Sequence, residues 1–223
     1  MRIDKDCYGT IAIAWALALL LLGLVWKLVR MDILNIFVAL FLTAALVVFM
    51  GFVTWFHRVP VRKKVGSDRI VSSVADGKVI IVENAFEKEF LKRECIQVSI
   101  YMNFFDVHAN FWPLTGEISY YKYHPGRYFL AFHTKASDLN EHSSTCIHSP
   151  AGDVFFKQIA GTFARRIVCY SKQDMQVSAG EQCGIIKFGS RIDMFFPLDA
   201  DIKVKVGDLT RASETVIAEL KGN

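Results

Sequence analysis

Two stretches without a charged residue open the chain, Cys7–Trp26 and Ile33–Phe56. Each is long enough to cross a bilayer, which takes about 20 apolar residues. Only Lys27–Asp32 separates them, and that link carries the cations Lys27 and Arg30. A chain that starts this way forms a tight helical hairpin, transmembrane or membrane-embedded, over residues 1–57. A secretory signal is the weaker reading, because no small-x-small cleavage site follows the first run and a second run comes almost at once. Arg2 and Lys5 precede the first run, and Arg58, Arg62, Lys63 and Lys64 follow the second. The positive-inside rule therefore places both ends in the cytoplasm, with the rest of the chain on the cytoplasmic side of the cell's inner membrane. Trp26 and Trp55 fit interface anchors. The basic cluster "HRVPVRKK" (57–64) fits a stop-transfer flank that also attracts anionic lipid headgroups.

Residues 58–223 have a different texture, and their length suffices for one domain with its own core. Short apolar runs alternate with turn signals. The runs 78–83, 96–102, 116–123, 126–133, 153–160 and 164–170 read as strands, and Gly77, "PLTG" (113–116), "HPG" (124–126) and "SPAGD" (149–153) as turns. "NAFEKEFLKRE" (84–94) reads as a short helix, and "IAGTFARRI" (159–167) as partly helical. The domain is mainly β. "SAGEQCGII" (178–186) is echoed by "RASETVIAE" (211–219), a hairpin texture similar to the half-barrels of lipoyl- and biotinyl-carrier domains. Carriers need a modifiable lysine at the hairpin tip, and "FGSR" (188–191) has none at its apex. The echo supports a barrel-sandwich-hybrid fold without the carrier function.

Several chemistries are disfavoured. The five cysteines are odd in number and contain no CxxC, so neither a disulfide framework nor a zinc site is indicated. The six histidines form no HExxH or HxH pair, and no metal is expected. Glycines fall in neither a P-loop nor a GxGxxG pattern, and neither nucleotide nor nucleic acid is expected as a partner. One stretch stands out: "IIKFGSRIDMFFPL" (185–198) suits a strand, yet "FGSR" interrupts it. "GSR" is not GxSxG, so it does not mark a hydrolase elbow, and taken alone it reads as a turn.

Three further stretches accompany it: "VADGKV" (74–79), "FFDVHANFWPLTGEI" (104–118) and "YHPGRYFLAFHTKASDLNEHS" (123–143). Together, and in this order, they resemble the phosphatidylserine decarboxylase proenzymes, specifically the short bacterial form. The resemblance covers the domain after residue 57, and the apolar pair before it fits the same form.

The resemblance implies pyruvoyl-dependent decarboxylation of phosphatidylserine to phosphatidylethanolamine, after self-cleavage between Gly189 and Ser190. The products would be a large subunit, 1–189, and a small one, 190–223. Ser190 would attack the Gly189 carbonyl, with His108 as base and Asp76 orienting its imidazole. The resulting pyruvoyl group would form a Schiff base with the serine headgroup and act as electron sink. Arg191 is a candidate partner for the substrate's phosphate or carboxylate, or for Asp193; His133 and the pair Asn140–Glu141 are candidate pocket residues. This chain has Phe105 where the long form of the family carries a second histidine, so a role for that histidine does not carry over. It has Arg191 where the long form has threonine. The alternative is a non-catalytic, membrane-tethered β-module that binds lipid or protein. The presence of Asp76, His108, Gly189 and Ser190 argues against it. No coiled-coil or other assembly signature decides whether the chain forms a homo-oligomer.

Overall fold

The two uncharged runs are helices α1 (Tyr8–Arg30) and α2 (Ile36–Phe56) in the computed structural model, which describes residues 1–126, 140–161, 167–186 and 190–222. Asn35 caps α2 by accepting from Phe37 N at 2.8 Å. Lys27 and Arg30 sit in the last turn of α1, where cations suit the helix dipole. Trp15 Nε1 donates to Thr54 Oγ1 at 3.1 Å and joins the two helices. Strands β1 (Arg2–Ile3) and β2 (Arg58–Val59) pair antiparallel and close the hairpin at its open end. Both helices are long and apolar enough to cross a membrane, and only 11% of each apolar window is buried. So large an exposed apolar surface suits lipid rather than water. These elements belong to one unit, Met1–Pro60; the second is Val61–Asn223.

The second unit is built from strands, all paired antiparallel among the described residues. In chain order they are β3 (Ile70–Ser72), β4 (Gly77–Glu87), β5 (Arg93–Met102), β6 (Ala109–Phe111), β7 (Gly116–His124), β8 (His142–Ser149) and β9 (Gly152–Ala160). There follow β10 (Ile167–Cys169), β11 (Gln176–Val177), β12 (Gln182–Ile186), β13 (Ser190–Phe196), β14 (Asp201–Ile202), β15 (Leu209–Thr210) and β16 (Val216–Glu219). Eight strands make one sheet in the order β11-β7-β8-β9-β13-β5-β4-β15, curled as a half-barrel. The triplets β10-β12-β6 and β14-β16-β3 are smaller sheets.

Strand alternation explains the core. Val98, Ile100 and Met102 of β5, Ile192, Met194 and Phe196 of β13, and Val154 and Phe156 of β9 face one side. They pack with Trp112, Leu114, Ile118 and Ile147. Cys95, Cys146, Phe155 and Phe195 form a second cluster. Strand β13 is therefore buried at every position. Each such phenylalanine or isoleucine contributes roughly 1.5–3 kcal/mol. The five cysteines are free thiols, and burial pushes that of Cys146 up to about 12.

Four expectations change. Residues 84–94 are a β-hairpin tip, not a helix. Ala85 pairs with Cys95 and Glu87 with Arg93, while the Glu87 carboxylate accepts from the N–H groups of Glu89, Phe90 and Leu91. Lys92, at φ 49°, completes the turn. The stretch 185–198 is not one interrupted strand: β12 belongs to a small sheet and β13 to the large one. Strand β8 was not expected at all. The strand expected at 126–133 falls almost wholly outside the described residues. Of the strand expected at 164–170, Ile167–Cys169 forms β10. In the stretch 159–167, expected as partly helical, the described Ile159, Ala160 and Ile167 belong to strands β9 and β10 instead.

Candidate active site

Ser190 is the first residue of β13. It faces the same side as Ile192 and Met194, and it has no exposed surface. It pairs with Met102 of β5 on one side and Ala160 of β9 on the other. Its Oγ donates to Met102 Sδ at 2.9 Å.

His108 comes from the loop after β5. That loop is tied by Asn103 N to Asp106 Oδ2 at 2.8 Å and by Asp106 N to Asn103 O at 3.1 Å. The His108 carbonyl accepts from Ile186 N at 3.1 Å, so His108 is anchored beside the end of β12, four residues before Ser190. The ring is buried, and Nδ1 lies 3.0 Å from the Asp106 carbonyl. A carbonyl only accepts, so Nδ1 carries the proton and the neutral ring's lone pair is on Nε2. That tautomer is the one a general base at Nε2 requires.

Asp76 reaches the same region along a different path. Ser72 N donates to Pro113 O at 2.8 Å and Phe111 N to Val74 O at 3.0 Å. The segment thus runs antiparallel to β6, towards its His108 end. Gly77 has φ 155°, and a Cβ there would strike the Tyr101 carbonyl, so only glycine lets β4 approach β5 beside Asp76. Asp76 Oδ1 accepts from Ala212 N at 2.8 Å, and Oδ2 forms an ion pair with Arg62. Arg62 also meets Glu214 at 3.6 Å. The imidazole was the partner expected for this carboxylate. In the structure Asp76 engages Arg62 and Ala212, and His108 Nδ1 engages the Asp106 carbonyl.

A family model for phosphatidylserine decarboxylase matches residues 49–218. The chain belongs to the phosphatidylserine decarboxylase family. A phosphatidylserine decarboxylase proenzyme of Amoebophilus asiaticus is 43% identical over 169 residues, 75% of either chain. That of Cytophaga hutchinsonii is 40% identical over 179 residues, covering 80% of this chain and 81% of the relative. That of Magnetococcus marinus is 42% identical over 177 residues, covering 78% and 81%.

The other candidate residues of this family member divide. Gly189 and His133 lie outside the described residues. Asn140 and Glu141 are buried near Ser190: Asn140 Nδ2 donates to Ala160 O at 2.7 Å, and Ala160 N donates to Glu141 O at 2.9 Å. Arg191 points to the opposite face of β13 from Ser190, pairs with buried Asp193, and donates from Nη2 to Ser99 Oγ at 3.0 Å.

Three residues adjoining Ser190 escaped sequence reasoning: Met102, which accepts from Ser190 Oγ, Asn110, whose Nδ2 approaches the same sulfur at 4.0 Å, and Gln158, whose Nε2 donates to Asn110 Oδ1 at 2.8 Å. All are buried, and all sit on strands. Asn110 two places after His108, and a lone glutamine in the apolar run of β9, were the available signals. Elsewhere in the domain, Glu89, His124 and His142 hold ligand-type atoms within 4.8 Å of one another. Lys157 Nζ already lies 3.0 Å from Glu89 Oε2, and a dication placed there would meet that ammonium.

Proposed function

We propose that this chain is a phosphatidylserine decarboxylase that matures by cutting itself between Gly189 and Ser190. Cleavage would leave a pyruvoyl group at the start of the small subunit, residues 190–223. One observation carries the reading: the cut falls at the edge of β13, which starts at Ser190 and is clamped between β5 and β9 along its length. Breaking the chain there leaves that ladder whole. The seat also fits the group. Ser190 has no exposed surface, so a ketone at that position is shielded from water, and its neighbours Met102 and Ala160 offer no competing nucleophile.

His108 Nε2 takes the Ser190 proton while Oγ adds to the Gly189 carbonyl carbon. The C–N bond breaks, and His108 returns the proton to the Ser190 nitrogen, leaving an ester. Loss of the Ser190 Cα proton then expels the Gly189 carboxylate from Cβ, and water replaces ammonia to give the ketone. The pyruvoyl ketone, once formed, supplies the electron sink for loss of carbon dioxide from the serine headgroup. His108 holds a proton for the headgroup carbon. The Asp106 carbonyl keeps its tautomer, and the Asp76 charge favours the imidazolium. The apolar helices keep the chain at the bilayer that holds its substrate. The cationic flanks set the domain on the cytoplasmic side.

Intact mass spectrometry and a denaturing gel of the purified chain test this. Two fragments, 1–189 and 190–223, with a blocked small-subunit N-terminus and release of carbon dioxide from phosphatidylserine vesicles, are expected. Ser190→Ala should remain full length and inactive. A single band in the unsubstituted chain, unchanged by Ser190→Ala, would instead indicate the non-catalytic β-module.

A further inference from the structure

Behind Ser190 lies a chain of buried polar groups that the mechanism above does not use. Ser143 Oγ of β8 donates to Gln158 Oε1 of β9 at 2.9 Å. Gln158 Nε2 donates to Asn110 Oδ1 of β6 at 2.8 Å. Asn110 Nδ2 in turn approaches Met102 Sδ at 4.0 Å, the same sulfur that accepts from Ser190 Oγ at 2.9 Å. Ser143, Gln158, Asn110, Met102 and Ser190 have no exposed surface. A Cβ at Gly184 would lie 3.0 Å from Gln158 Nε2, so glycine there leaves room for the glutamine amide.

The order of these bonds is informative. Burying two primary amides is costly unless their hydrogen bonds are made. Gln158 is tied at both ends of its amide. Asn110 is tied firmly only at its oxygen. Among the described residues, its NH2 has a thioether at long range as partner, and sulfur is a weak acceptor. The network thus holds a strong donor, rigidly oriented and under-used, on the Ser190 side of β6. The two distances to the shared sulfur keep Asn110 Nδ2 within about 7 Å of the Ser190 hydroxyl. Asn110 also stands two residues from His108 along β6 and its extension, so the two share a face.

We propose that Asn110 is the hydrogen-bond donor that stabilises the negative charge formed during self-cleavage, and that Gln158 and Ser143 hold it in position. This rests on the self-cleavage reading. When Ser190 Oγ bonds to the Gly189 carbonyl carbon, the carbonyl pair moves onto its oxygen and the hydroxyl proton moves to His108. A preorganised amide N–H meets that oxygen charge. The charge is lost again when the C–N bond breaks and the ester forms. Donors of this kind act before the ester and not after it.

The test follows cleavage of freshly synthesised full-length chain in detergent micelles, with and without hydroxylamine, which cuts esters but not amides. The informative variant is the double substitution Asn110→Leu with Gln158→Met. Replacing both partners of a buried hydrogen bond by apolar groups of similar shape leaves packing nearly intact. In a Ser190→Ala background its unfolding midpoint should fall by several degrees, because buried Ser143 loses its acceptor, while the chain stays folded. With Ser190 present, cleavage should slow by roughly 10²–10³-fold, and hydroxylamine should release no fragments. The isosteric Asn110→Asp, which turns the donor into an acceptor, should be as slow and serves if the double variant does not fold. Cleavage of either folded variant within about threefold of the unsubstituted rate overturns the proposal, and so do fragments released by hydroxylamine. In both cases the self-cleavage reading stands. An unsubstituted chain that stays whole overturns that reading, and the proposal with it.

Discussion

The Ser190 hydroxyl donates to the sulfur of Met102, 2.9 Å away on the neighbouring strand. The contact holds the hydroxyl in its strand position. It must be given up before Ser190 can attack the residue before it. A thioether acceptor makes that release easy, because the bond is weak. Met102→Leu keeps the volume and removes the acceptor, so it should cost under about 1.5 kcal/mol of stability. Cleavage should then proceed at least as fast as in the unsubstituted chain. Met102→Ala opens a cavity beside Ser190 and should cost about 2–5 kcal/mol. Thermal unfolding in a Ser190→Ala background and timed denaturing gels measure the two effects separately. Slow cleavage in a stable Met102→Leu chain would mean that the sulfur assists the reaction.

Asp76 is bound on both sides of its carboxylate, by Ala212 N–H and by Arg62. The side chains of the ion pair are only 9% and 14% exposed, so the pair is largely screened from water. Removing one member of such a pair leaves the other charge stranded. Arg62→Ala should therefore destabilise the domain by about 2–4 kcal/mol, as measured by denaturant unfolding with Ser190→Ala. With Ser190 present it should also slow maturation, because Asp76 loses its anchor beside the His108 end of β6. Asp76→Asn keeps the bond from Ala212 but not the charge. It should be less destabilising than Arg62→Ala and yet cleave more slowly, if the charge supports the His108 imidazolium. The reverse ranking for cleavage would make Asp76 purely structural.

Arg191 illustrates how strand geometry overrides proximity in sequence. It adjoins Ser190, but the pleat turns it to the other face, where it meets Asp193 and Ser99 with 1% of its surface exposed. Arg191→Ala alone removes the ion-pair partner of a fully buried carboxylate and should cost about 3–5 kcal/mol. Replacing both partners, Arg191→Met with Asp193→Leu, should restore most of that loss. The double variant should cleave and bind phosphatidylserine vesicles like the unsubstituted chain. A selective rise in the substrate's KM in a stable double variant would return Arg191 to the substrate.

The sequence made the helical hairpin legible because twenty uncharged residues in a row have few soluble explanations. Strands β4, β5, β7 and β9 were legible from their apolar runs. Strand β8 was not: "HSSTCIHS" is polar apart from Cys146 and Ile147, yet all but one of its residues are buried. Its hydroxyls are satisfied by partners distant in sequence, such as Gln158 for Ser143, Glu89 for Ser144 and Ser171 for Thr145. No local pattern encodes such bonds. The hairpin tip at 84–94 misled for a similar reason. Its charged residues have reasonable helix propensity, but the cross-strand pairs of β4 and β5 and the Glu87 cap outweigh it. Ser190, His108 and Asp76 stood out through ordered motifs. Asn110 and Gln158 did not, because a buried amide is recognisable only once its partner is known.

Acid stability should expose the cluster around Glu89. Tyr120 donates to its Oε1 at 3.1 Å and Ser144 to its Oε2 at 2.9 Å; Lys157 lies 3.0 Å from Oε2, and His124 Nε2 bonds to Oε1. Burial alone would raise this carboxyl, but the Lys157 charge and the hydrogen bonds outweigh it and hold it down at about 2. His142, stacked on His124 at 4.3 Å, is lowered from 6.5 chiefly by burial. Both groups bind fewer protons when folded than when unfolded, so both make stability rise with pH. The His142 share is complete above 6.5 and is lost as pH falls below it. The Glu89 share is complete above 4.5 and is lost as pH falls towards 2. Denaturant unfolding of the Ser190→Ala chain should thus weaken first below pH 6.5 and again below 4.5. Glu89→Gln should cost about 2 kcal/mol at pH 7, a figure reduced for partial exposure. It should also flatten the curve below 4.5. A Glu89→Gln chain with the same acid limb as its parent would assign that limb to another carboxylate.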